Sequence, residues 1–192
     1  VQLFTVLAFP FLGDTVWGRA FLGVVQLSVV VAALAAVRRT PALTWFAVLL
    51  GVPAMLFTVV EALDPHQDAV VLVSALLHAP FYFYVSYAMI RYLFHDERVT
   101  RDEIFATGAA FTVVAWGFAY VYAASQVVWP GSFVGTGGPG DRPWFELLFL
   151  SFSTLTSVGL SDIVPVGLHA RSFVMVEAVA GVLGKEQQAY TD

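Results

Sequence analysis

Four apolar runs succeed one another along this chain, at Gly18–Val37, Ala42–Leu63, Ala69–Phe94 and Ile104–Val128. Each is near or above the ~20 residues that cross a bilayer as a helix. Charged residues gather between the runs rather than within them. A chain of 192 residues that is 59% hydrophobic and 12% charged has more apolar surface than a water-soluble core of that size can hide. The sequence therefore reads as an integral membrane protein with the lipid bilayer as its main surroundings. The net charge of −5 says little, since most of the chain would not meet bulk water. The absence of cysteine excludes disulfides and thiolate metal sites. No basic, aromatic-interleaved stretch suggests a nucleic-acid partner.

Two further runs are shorter. Val1–Leu12 would be about 18 Å long as a helix, too short to span. It reads as the clipped end of a first transmembrane helix rather than a signal peptide, because no small-residue cleavage site comes after it. Leu168–Leu183, about 24 Å long, is marginally sufficient.

Positive charge sets the expected sidedness. Arg38, Arg39, Arg91, Arg98 and Arg101 fall in or beside the short loops after the second and fourth spans, whereas the loop "EALDPHQD" is acidic. The Arg-rich loops are then cytoplasmic. Arg19, Arg142 and Arg171 run against this trend. Thr100 and Glu103 form a capping box at the start of the fifth helix. No span carries arginine at every third position, so a voltage sensor of the Arg-rich type is not expected.

The segment between the last two helices is unlike the rest. A Gly/Pro-rich stretch, "WPGSFVGTGGPGDRP", precedes an apolar segment, Trp144–Leu155, of about a dozen residues. That is too short to span and suits a re-entrant helix, for which Pro143 is a good first residue. The chain then returns as "TSVGLSD". Non-helical backbone at membrane depth is tolerated only where it is buried in protein or lines a watery path. The carbonyl end of the short helix would point inward and favour a cation. One chain cannot surround an ion, so this reading requires an oligomer.

The stretch "TLTSVGLSDIVPVGLHAR" resembles the pore module of the potassium channel superfamily, whose usual motif is T-x-T-T-V-G-Y-G-D with an outer proline and an arginine beyond it. The order outer helix, turret, pore helix, filter and inner helix also matches over residues 100–184. Residues 1–99 resemble, less specifically, the four-helix leader of bacterial six-helix channels that lack voltage-sensing arginines. The resemblance implies an all-α membrane protein with six transmembrane helices, the first clipped, a re-entrant pore helix and filter loop, and assembly as a homotetrameric channel in the plasma membrane. It places K+ as the permeant ion at the carbonyls of Ser157, Val158, Gly159 and Leu160, with Ser161 completing the filter. It places a hinge at Gly181. No organic cofactor is expected.

The motif departs from the family at two positions. Leu160 stands where Tyr is usual and cannot donate that residue's phenolic hydrogen bond. Phe149 and Leu150 occupy positions often held by Trp, which would make the surrounding cuff apolar. Ser161 stands where Gly is usual, and a left-handed backbone there would cost roughly 1–2 kcal/mol. Three readings stay open: a K+ channel, a weakly selective cation channel, and a non-conducting scaffold or sensor that keeps the pore fold.

Glu177, midway along the last helix, is costly unless partnered. It is expected either to brace the filter from behind through Ser153 or Thr154, with Ser151 also within the pore helix, or to be a buried structural acid. Asp162 and Thr156 are further candidate filter supports. His78 reads as a hydrogen-bonded packing residue. Tyr82, Tyr84 and Tyr87 read as anchors and helix contacts, and His169 as a residue near the outer mouth. Asp14, Glu61, Asp64, His66 and Asp68 form a loose acidic rim rather than a metal site. Polarity from Lys185 onward suggests a polar tail, 185–192. No membrane-embedded Asp pair, Ser-His set or HExxH motif points to an enzyme.

Overall fold

The structure, a computed structural model, describes residues 2–13, 15–36, 41–63, 67–93, 101–138 and 140–189. In chain order these form α1 (Gln2–Leu12), α2 (Val16–Ala36), α3 (Pro41–Leu63), α4 (Asp68–Leu93), α5 (Arg101–Val128), β1 (Phe133–Val134), α6 (Trp144–Leu155), β2 (Val164–Pro165) and α7 (Leu168–Ala189). Arg38, Arg39, Arg98, Thr100, Asp14, Asp64 and His66 lie outside the described residues.

The apolar runs become helices close to their expected limits, because a backbone at membrane depth must satisfy its own hydrogen bonds. By length and composition, Asp68–Arg91 and Gly108–Val128 are long and apolar enough to cross a membrane. They alone among the described residues meet that test, while Leu3–Leu12, Val16–Val25, Leu49–Leu63 and Trp144–Leu155 are apolar but shorter. The last helix runs on to Ala189, so five residues of the segment expected as a polar tail are helical.

One feature of the fold is not helical. β1 and β2 pair antiparallel, Phe133 against Pro165 and Val134 against Val164. This ribbon ties the loop before α6 to the strand that leaves the re-entrant segment. Ser132 O extends the tie by accepting from Val166 N at 2.9 Å and Gly167 N at 3.2 Å.

Two cores meet at the short helix. The first joins Ala54 of α3, Phe81, Tyr82 and Val85 of α4, Val113, Trp116 and Ala119 of α5, and Leu148 of α6. The second joins Phe118, Tyr122 and Ala123 of α5, Leu147 and Leu150 of α6, Phe133, Ile163 and Ala170. Lipid is as apolar as leucine, so such contacts stabilise by close packing more than by excluding water. α6 is thus seated on α5 by its leucines, and this seat also positions the returning chain that leaves the end of α6.

Candidate functional site

Pro143 sits one place earlier than expected, at the N-cap of α6 rather than at its first residue, with φ −54° and ψ 145°. Its carbonyl accepts from Glu146 N at 3.0 Å and Leu147 N at 3.2 Å, which closes the first turn without a side-chain cap. Arg142, just before it, is buried, and its neighbours hold it by both main-chain groups. Arg142 N donates to Gln126 Oε1 and Gln126 Nε2 donates to Arg142 O, each at 2.9 Å. The guanidinium donates to Gly138 O and Gly140 O, each at 2.7 Å. The other two arginines that run against the charge trend are also held by carbonyls. Arg19 bonds Gly13 O and Ala62 O, and Arg171 bonds Pro165 O.

α6 ends in a left-handed C-cap. Ser157 has φ +61°, and among the described residues it is the one non-glycine with positive φ. Ser157 N donates to Thr154 O at 2.9 Å, and Val158 N to Ser153 O at 3.1 Å. These two bonds are the paired 5→2 and 6→1 contacts of a Schellman motif, in which glycine usually takes the left-handed place. Gly159 N also reaches Ser153 O, at 3.1 Å, and Ser161 N reaches Ser153 Oγ at 3.0 Å. One residue on α6 therefore gathers three amides of the returning chain. The strain expected at Ser161 is not there. The left-handed positions are Ser157 and Gly159, the latter at φ +69°, and Ser161 instead uses its hydroxyl to accept from Ile163 N at 3.1 Å.

Ser157, Val158, Gly159 and Leu160 are exposed in the single chain, Leu160 at 74%. Asp162 accepts from Thr136 Oγ1 at 2.7 Å, so it is fastened to the loop before α6. Thr156 Oγ1 turns back to Phe152 O at 2.7 Å. Phe149 is half-exposed at 47%, whereas Leu150 is buried.

Glu177 is fully buried. Its carboxyl accepts from Tyr122 Oη of α5 and from Ser151 Oγ of α6, and not from Ser153 or Thr154. The Ser151 hydroxyl also lies 2.9 Å from Ala115 O, so its single proton has two acceptors in reach. One carboxyl on α7 thereby joins the outer helix, the short helix and the last helix. One turn further on, Gly181 has its own reason to be glycine. A Cβ there would stand 2.3 Å from the carbonyl oxygen of Leu155, the last residue of α6. α7 is continuous through Gly181, and its close approach to α6 is a reason for glycine at this position.

Sequence reasoning missed Tyr122, Gln126 and Thr136. Tyr122 and Gln126 are four apart on an otherwise apolar helix, hence on one face, and that polar pair was the available signal. The remaining singled-out residues are packing residues here. His78 Nδ1 lies 2.8 Å from Ser74 O, its Nε2 lies 3.0 Å from Thr58 Oγ1, and its ring stacks on Tyr120 at 4.4 Å. Tyr82 is buried and Tyr87 exposed. His169 stacks on Trp129 at 4.0 Å. No group of three or more His, Asp or Glu among the described residues is disposed to hold a metal ion.

The family described as "Ion channel" matches residues 108–184. No curated protein and no solved structure matches the chain. The matched segment begins inside α5 and ends inside α7, so it takes in the short helix, its left-handed cap and the exposed return. Helices α5, α6 and α7 with the chain between them are thus similar, over residues 108–184, to a domain described as an ion channel.

Proposed function

We propose that four identical chains set this module around one axis and pass K+ down its gradient through the backbone carbonyls of Ser157, Val158, Gly159 and Leu160, with Ser161 completing the filter. Residues 1–99 form the leader, residues 100–184 the pore domain, and the protein crosses the plasma membrane six times. Ser153, Thr154, Thr156, Asp162 and Glu177 support the filter.

The observation that carries this reading is an asymmetry of cover. α6 and one face of α7 are held tightly from behind, by Leu147, Leu148, Glu177 and Gly181. The return from Ser157 to Leu160 and the opposite face of α7, with Met175, Val176, Val179 and Leu183, are bare. Irregular backbone in a membrane needs protein or water beside it, and copies of the same module meeting at an axis supply both. A ring of carbonyls around that axis replaces the hydration shell of a cation.

One observation favours the weakly selective rival. A non-glycine left-handed residue at Ser157 and an ordinary φ at Ser161 give this return its own backbone path, which supports a wider and more hydrated outer filter. Flux in liposomes under opposed K+ and Na+ gradients separates the readings. K+-selective flux supports the first, equal flux the second, and silence from correctly oriented tetramers overturns conduction.

A further inference from the structure

Away from the pore face, a cavity of about 600 Å³ opens among the ends of α1, α2, α3, α4 and α5 and the linker into α6. It lies on the side of the bundle that holds the start of the re-entrant segment. That volume is within the usual range for small-molecule sites.

Its lining has two components. Four aromatic side chains contribute: Phe9, Trp116, Tyr120 and Trp144. The indole Nε1 atoms of Trp116 and Trp144 are buried without an acceptor among the described residues. Three carboxylates contribute as well: Glu61, Asp68 and Asp141. Glu61 is half-buried and accepts from Ser74 Oγ, on the wall that also carries the Thr58–His78 contact. Asp68 and Asp141 are exposed and have no ion-pair partner among the described residues.

The basic groups on the same lining are engaged elsewhere. Arg142 is turned to Gly138 O and Gly140 O, and it lies 3.9 Å from Glu146. Arg19 donates to Gly13 O and Ala62 O, so two guanidiniums, both turned to backbone carbonyls, stand against three carboxylates on this lining. The acids are not disposed to hold a metal ion. Dispersed negative charge with aromatic ring surface suits a bulky, weakly hydrated cation, which gains from ring quadrupoles and carboxylates together.

We infer that this cavity binds an organic ammonium ion with an apolar body, anchored by Glu61 and enclosed by Trp116, Tyr120 and Trp144. Trp144 is the first residue of α6, and it and Phe145 pack on Phe9 of α1, with ring centroids 6.3 and 4.5 Å apart. A ligand here touches the leader helices and the start of the pore helix at once, so occupancy alters how α6 is held. The inference does not depend on conduction and is tested by binding alone.

The full chain in lipid nanodiscs is titrated calorimetrically with benzyltrimethylammonium, with its uncharged carbon isostere neopentylbenzene, and with benzoate. Binding of the cation at least about tenfold tighter than the isostere, a tenfold step being about 1.4 kcal/mol, is expected. Glu61→Gln and, independently, Asp141→Asn on the exposed linker each weaken it several-fold. Equal binding of the isostere, tighter binding of benzoate, or indifference to both substitutions overturns the proposal. Asp141→Asn keeps the test valid if Glu61→Gln does not fold. Flux measurements are separate, so a silent pore leaves this result readable.

Discussion

Replacing Gly181 by Ala asks the most direct question of the structure. A hinge reading and a packing reading of this glycine predict different things. The added Cβ would stand 2.3 Å from Leu155 O, 3.0 Å from Leu155 C and 3.2 Å from Leu155 Cα. All three are backbone atoms, so no flexible side chain can yield. To restore ordinary contact, α7 must move off α6 by about 1 Å. Over-packing of this kind costs about 1–3 kcal/mol. It would also strain the Glu177 bonds one turn away, which rely on the same approach. Since 1 kcal/mol shifts the melting point of a chain of this size by about 2–4 °C, Gly181→Ala should melt several degrees lower. The assay is fluorescence-detected size exclusion after a heating series, with flux measured in parallel. Gly108→Ala is the control, because a Cβ there meets nothing within 4 Å. A Gly181→Ala protein that melts with the parent and differs only in opening kinetics would refute the packing argument and restore the hinge.

Three other outcomes are expected. Glu177→Gln should be mild, because an amide can accept from Tyr122 and donate to Ser151, whereas Glu177→Ala and Tyr122→Phe each leave a buried group unpaired at about 1–3 kcal/mol; the same heating series checks both. Ser157→Gly should raise the melting point, since glycine holds the left-handed C-cap without the roughly 1 kcal/mol that serine incurs; an unchanged or lower melting point would contradict the Schellman assignment. The double change Leu160→Tyr with Ser161→Gly should raise the K+/Na+ permeability ratio measured from reversal potentials, and a parent already strongly K+-selective would show that the altered outer filter has no cost.

The helices are legible in the sequence because bilayer length and internal hydrogen bonding leave few other options for apolar runs of this kind. The limits of the apolar segment Trp144–Leu155 are those of α6, with Pro143 capping the helix rather than opening it, since a run too short to span but flanked by a proline and a Gly-rich loop has one economical solution. Finer features escape for definable reasons. Likeness to a glycine position puts the left-handed residue at Ser161, but the Schellman cap that puts it at Ser157 depends on where α6 stops, which composition does not fix. Glu177 visibly needs a partner, yet the choice of Ser151 and Tyr122 depends on how three helices rotate about their axes. The two-residue ribbon between Val134 and Val164 is too short to leave any periodicity.

The bonds at Glu177 and Arg142 have a consequence for the order of events in the cell. Both ionisable side chains find their partners within one chain, Glu177 on α5 and α6 and Arg142 on the loop before α6. A single copy can therefore settle its most costly polar groups before it meets another. For the proposed assembly, the exposed return from Ser157 to Leu160 and the apolar face of α7 with Met175, Val176, Val179 and Leu183 are surfaces left for contact between copies. Under the proposed tetramer, maturation of one chain and its assembly with others are then separable in time.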